Sequence, residues 1–186
     1  MDNAWLALCW SPSVDRPDPA ARRIAESPRS AVHTFPSLDA LAHAMPPVDL
    51  GASEWVQVEQ SMIDRFAEAT GDHQWIHTDA ARAAQGPFGA TIAHGYLTVA
   101  LLPRLVSGLY EVHGAGMRVN YGMDRVRFPR PVVSGAKVRA HATVAEVAPT
   151  SAGVQLHLDV AVEIENEERP ACVARTIVLV TDGGAQ

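Results

Sequence analysis

The chain has 186 residues, 47% of them apolar, with a formal net charge of −6 and a pI near 5.7. That length and apolar share imply one core and one domain, and the acidic balance argues against a nucleic-acid binder, which carries a clustered basic footprint. No segment approaches the roughly 20 continuous apolar residues that cross a bilayer, and Cys9 and Cys172, far apart and outside any C-x-x-C spacing, provide no disulfide framework. A small-molecule protein of a reducing, cytoplasmic compartment is expected.

The apolar patch Trp5 to Trp10 lacks the flank of an export signal, since Asp2 stands where Lys or Arg would and Pro12 follows. Pro, Arg, Ala and Ser then dominate as far as Ser30 without an apolar period. Such a stretch buries too little to offset its ordering entropy, so residues 1–33 read as a disordered extension and 34–186 as the folded domain. Ser37 caps a predicted helix over Leu38 to Met45, which Pro46-Pro47 closes. Trp55, Val56 and Val58 read as a short strand leading into a helix with Met62, Ile63, Phe66 and Ala69 on one side, ended by Gly71. Asp72 to His77 is then a turn or loop, and Asp79 to Ala84 a brief helix stopped by Gly86-Pro87.

Between Gly95 and Tyr110 apolar residues cover nearly the whole circumference of a helix, which must therefore be surrounded. Pro103 bends it or divides it into two shorter helices. Strands follow: Val119, Tyr121 and Met123 alternate, and the phase shifts to Val126 and Phe128, which predicts a β-bulge near Asp124. Val138 to Val147, Val154 to Ile164 and Ala171 to Val180 complete the run, with a hairpin turn at Asn166-Glu167-Glu168. Helices followed by antiparallel strands make an α+β fold, with a sheet curled around the apolar helix.

The chemistry concentrates in Asp72-His73-Gln74-Trp75-Ile76-His77 and in Ala93-His94-Gly95. A carboxylate and an imidazole five residues apart across a turn can converge on one water, Asp72 as base and His77 orienting the oxygen, which is what hydration of a polarised alkene requires. Gly95 begins the buried helix, so its N–H is free to hold a thioester oxygen that gains charge as an enolate forms.

The run Phe66-Ala67-Glu68-Ala69-Thr70-Gly71-Asp72 through Ile76-His77, with Ala93-His94-Gly95 downstream, resembles the MaoC-like (R)-specific enoyl-CoA hydratases, or hydratase-2 family, in the style of its single-domain NodN-type members. The resemblance covers Thr34 to Val180. It implies a hot-dog fold, a homodimer with an acyl tunnel near the subunit interface, and a place in fatty-acid metabolism. It also implies conversion of trans-2-enoyl-CoA into (R)-3-hydroxyacyl-CoA without metal or redox cofactor, coenzyme A being part of the substrate. By position, Asp72 and His77 match the catalytic pair and Gly95 the oxyanion amide. The family's Asn-Pro between the pair is Gln74-Trp75 here: Gln74 keeps an amide, and the bulk of Trp75 bears on acyl preference.

Gln74, Trp75, Phe88, His94 and Tyr96 are the expected substrate-contacting residues. Three of them also have a plainer reading: Phe88 packs in a turn with Gly89, His94 is a hydrogen-bonded structural histidine, and Tyr96, with Leu97 and Leu101, is helix core. His73 and His77, four apart, have a zinc-like spacing, but the metalloprotease motif needs Glu where Gln74 stands. Arg118, Arg125, Arg127 and Arg130 are donors suited to coenzyme A phosphates or simply solvated. Two alternatives to the hydratase are a 3-hydroxyacyl-carrier-protein dehydratase using the same groups in reverse and a non-catalytic acyl-thioester-binding subunit.

Overall fold

The computed structural model describes residues 31–183. The expected extension lies outside them as far as Ser30, as does Cys9. The first strand, β1 (His33–Phe35), begins one residue before the expected start of the domain. Next come α1 (Leu38–Ala42), β2 (Val48–Ala52), β3 (Val56–Gln57), α2 (Gln60–Thr70), α3 (Trp75–Thr78) and α4 (Ala80–Ala83). The chain continues with α5 (Gly95–Ala100), α6 (Leu102–Val106) and β4 (Tyr110–Val112), then the long strands β5 (Met117–Arg127), β6 (Lys137–Thr150), β7 (Gly153–Ile164) and β8 (Cys172–Thr181).

The main sheet is antiparallel in the order β2-β6-β7-β8-β5, with β3 also paired to β6. Its inner face follows from period-two alternation. Val154, Leu156, Leu158, Val160 and Val162 of β7 are buried, and their β6 neighbours Val138, Ala140, Ala142 and Val144 are fully so. The alanines leave room for helices to approach, and Leu97, Leu101, Leu102, Leu105 and Val106 fill that space. Each such side chain stabilises the fold by about 1.5–3 kcal/mol. Cys172 belongs to this core, where burial pushes its thiol up to about 11. A sheet wrapped on a central helix is the expected hot-dog arrangement.

The helix is divided in two, the second of the possibilities raised by Pro103. That proline lies in the first turn of α6, where its missing N–H costs least. The axis continues through the division, because the Leu101 N–H donates to Leu97 O and the Leu105 N–H to Leu101 O, each at 3.0 Å.

Several local expectations need correction. The first helix stops at Ala42, with His43 as its C-cap, rather than at Met45. His77 stands on one turn of helix instead of in a loop. β2 escapes the period-two pattern because its ladder slips between Asp49 and Gly51, where Gly51 takes φ +74° and its N–H is bound by the Asp49 carboxylate. β1 and β4, three residues each, form a parallel pair too short to leave a periodic signal. The expected slip at Asp124 is present between Met123 and Arg125, with a second between Asn120 and Gly122.

The helix is not surrounded within one chain. Tyr96 is 76% exposed, and Ala100, Pro103 and Arg104 are exposed along the same helical pair. β5, at the sheet's edge, leaves Met117, Val119, Tyr121 and Met123 exposed as well. One chain's sheet covers only one side of its helices.

Candidate active site

Gly71, in the left-handed conformation, ends α2 and donates its N–H to Ala67 O. The chain thereby turns into Asp72, whose carboxylate is 55% exposed. His77, on α3, is 6% exposed, and His94, immediately before α5, is 3% exposed. The two imidazoles stack with centroids 3.7 Å apart, and Phe66 of α2 lies 5.1 Å from the His94 ring. One ligating atom from each of Asp72, His77 and His94 lies within 4.8 Å of the others.

Hydrogen bonds fix both tautomers. His77 Nδ1 is 2.7 Å from Ile92 O, and a carbonyl only accepts, so Nδ1 carries the proton and neutral His77 has a bare Nε2. His94 Nε2 donates in the same way to the backbone carbonyl of Asp72 at 2.9 Å. Its Nδ1 is buried and has no partner among the described residues. Burial lowers the His77 pKa below its ordinary value. The neighbouring His94 lowers it further, while the Ile92 carbonyl and the Asp72 carboxylate pull the other way. The net depression keeps His77 neutral near pH 7.

Gly95 follows His94. A β-carbon there would stand 3.0–3.2 Å from the Phe128 ring, so any larger residue makes that ring give way. The His94 carbonyl takes the amides of Leu97 and Thr98, whereas the Gly95 N–H meets no acceptor among the described residues.

The other expected contacts lie around this centre. Trp75 packs its ring on the Gly86 backbone beneath the Arg82 guanidinium, 4.4 Å from the ring centroid. Gln74 is exposed at the start of α3, Phe88 is half-buried in the turn after α4, and Tyr96 meets the Phe128 edge at 6.3 Å. His73 does not join His77 in a metal pair: it faces Glu68, 4.0 Å away. Asp72, His77 and His94 are the only cluster with metal-ligand spacing among the described residues, and one nitrogen of each imidazole is already committed to a carbonyl.

Sequence reading missed Gln60, Thr91 and the Ile92 carbonyl. The Gln60 amide donates to His77 O at 2.7 Å and accepts from the Thr91 hydroxyl. A cavity of about 430 Å³ lies between the helices and the sheet, lined by Val99, Leu102, Val106, Met123, Thr176 and Val178 among others.

The helix cradled by an antiparallel sheet, with a carboxylate and stacked histidines at its N-terminal end, defines a hot-dog protein. The chain belongs to the MaoC-like domain family, whose model matches residues 43–165. It is 49% identical over 148 residues to 3-hydroxyacyl-thioester dehydratase Z of Mycobacterium tuberculosis, a match covering 79% of this chain and 97% of that one. It is 47% identical over 135 residues to Nodulation protein N of Rhizobium leguminosarum bv. viciae, covering 71% and 84%. In fold it is similar to the R-hydratase PhaJ1 from Pseudomonas aeruginosa, with TM-score 0.63 and 22% identity over 82% of this chain and 89% of that one. The (R)-hydratase from A. caviae gives TM-score 0.56 and 20% identity, covering 74% and 98%.

Proposed function

We propose that the protein hydrates trans-2-enoyl-CoA to (R)-3-hydroxyacyl-CoA and catalyses the reverse dehydration. The observation that carries this reading is the His77–Ile92 hydrogen bond, which leaves the second nitrogen bare on a ring that clusters with the Asp72 carboxylate. The Asp72 carboxylate and the His77 ring, with ligating atoms within 4.8 Å of each other, are close enough to share one water at ordinary hydrogen-bond lengths of about 2.8 Å. With both its hydrogens so engaged, the water turns a lone pair toward the substrate. Its oxygen bonds to C3 as its proton passes to Asp72, the thioester oxygen takes up the enolate charge against the Gly95 N–H, and C2 recovers the proton. No metal or redox partner is needed for this balance. The (R) sense rests on the family resemblance.

The acyl chain runs along α5 into the cavity between the helices and the sheet, whose lining is mainly apolar. A second copy completes the open side. The long edge strand β5, with its exposed Met117, Val119, Tyr121 and Met123, is of the kind that pairs with another chain. A homodimer joined through β5 therefore covers the exposed side of the helices. No helix among the described residues is long and apolar enough to cross a membrane, and a cytoplasmic site of action agrees with the thioester substrate.

The similarity to a 3-hydroxyacyl-thioester dehydratase, a name that fits either thioester, supports the dehydration direction, and a second reading places the acyl group on a carrier protein. A panel of 2-enoyl-CoAs of increasing length, followed by loss of the conjugated chromophore and set against the same acyl groups on a carrier protein, tests both. Faster turnover on coenzyme A supports the first reading. Turnover on the carrier protein alone replaces it with the second.

A further inference from the structure

Gln60 does not reach the reacting atoms, yet its side chain is bound at every polar position. One amide hydrogen goes to the His77 carbonyl at 2.7 Å, the other to Asp64 Oδ1 at 2.8 Å, and the amide oxygen accepts from the Thr91 hydroxyl. The carbonyl and the carboxylate only accept, so the amide has one orientation, with NH₂ toward them and oxygen toward Thr91. Thr91 is 4% exposed, and its carbonyl is held by the Ser134 N–H at 2.8 Å. It immediately precedes Ile92, whose N–H donates to Ile76 O at 3.0 Å and whose carbonyl accepts from His77 Nδ1.

We propose that Gln60, acting with Thr91, is a positioning residue for catalysis that fixes the His77 ring and its Nδ1–H tautomer from both ends of the His77–Ile92 hydrogen bond. One end of the amide holds the backbone of the donor residue, and the other holds the neighbour of the acceptor. Gln60 is the first residue of α2, so the helix that delivers Asp72 at its far end also anchors the imidazole at its near end. Only a neutral amide serves both contacts. A glutamate would keep an acceptor for Thr91, lose the donor for the His77 carbonyl, and add a charge that favours imidazolium. The kinetic consequence rests on the hydratase reading above, whereas the effect on the imidazole does not.

The test compares Gln60→Leu, Thr91→Val, Thr91→Ser and the double variant Gln60→Leu/Thr91→Val in the full-length protein. It reads kcat and KM on crotonyl-CoA, the melting temperature, and the imidazole Nδ1–H proton in the NMR spectrum, assigned by its disappearance in His77→Gln. Gln60→Leu and Thr91→Val are expected to lower kcat about tenfold or more with KM little changed, as for other groups that orient a reacting residue, and to weaken or abolish the Nδ1–H signal. Thr91→Ser restores both. The double variant loses no more than the worse single one, because the two residues act through one connection. Folded Gln60→Leu or Thr91→Val protein with wild-type kcat and an intact Nδ1–H signal overturns the proposal. Should Gln60→Leu not fold, Thr91→Val, which removes one hydroxyl and keeps the shape, decides alone. If the wild-type protein hydrates no enoyl thioester, the function proposed above falls, and the imidazole signal still decides this one: its loss in either variant supports it, its survival overturns it.

Discussion

In β7 every second side chain from Val154 to Val162 enters the core, and the strand is bonded along its length to β6 and β8. Between Gly71 and Gly95 the position of each candidate site group depends instead on individual polar contacts: His94 to the Asp72 carbonyl, His77 to the Ile92 carbonyl, Gln60 to both Thr91 and His77. The strand's stability is distributed over many apolar contacts and tolerates local change. The site's geometry rests on a few hydrogen bonds, and losing one leaves a buried partner unpaired. Truncations in the sheet therefore lower stability in proportion to volume removed, while changes in the site reduce turnover and cost the smaller amount that an unpaired buried group carries, about 1–3 kcal/mol.

The largest expected effect belongs to the sheet. Leu156→Ala, at a fully buried position away from the cavity lining, should destabilise the fold by about 2–5 kcal/mol in chemical denaturation while the remaining folded protein keeps its specific activity. Unchanged stability would show that the β7 core is not what holds the sheet. Gly95→Ala is intermediate, because its methyl meets Phe128 at 3.0 Å and over-packing of this kind costs about 1–3 kcal/mol. Adding Phe128→Leu should recover stability. If stability stays low in the double variant, the contact with Phe128 is not the cause.

The smallest effect is on acid stability. The His77 pKa is lowered in the folded protein from its ordinary 6.5, so the unfolded chain takes up this proton first as the pH drops. The contribution of neutral His77 is thus fully present above about pH 6.5 and is lost as the pH falls through the lower folded value. His77→Gln should make the melting temperature less dependent on pH below 6.5 than in the wild-type protein, as read by thermal melts across that range. Identical acid dependence in the two proteins would remove His77 as the source.

How much of this was legible in the sequence follows the same division. The alternation in β7 and the mainly apolar stretch around Leu97 to Leu105 point to the sheet and the helix it wraps, because burial writes itself into a repeating pattern. Asp72, His77 and Gly95 were legible because they sit in two short contiguous runs that resemble a family. Gln60 and Thr91 left no such signal: their partners lie 17 and 31 residues away, so no spacing connects them before the chain is folded. β2 was hidden by the slip at Gly51, and the exposure of Tyr96 follows from what a single chain's sheet can cover.

In the proposed mechanism Asp72 and His77 together hold the water that adds to the double bond. The most direct measurement is crotonyl-CoA hydration, followed by loss of the enoyl chromophore, for the wild-type protein, Asp72→Asn and His77→Ala. The expected result is turnover by the wild type and a fall in kcat on the order of 100-fold or more in each variant, both variants remaining folded with cooperative melts. Steady hydration by both purified variants at the wild-type rate would contradict it.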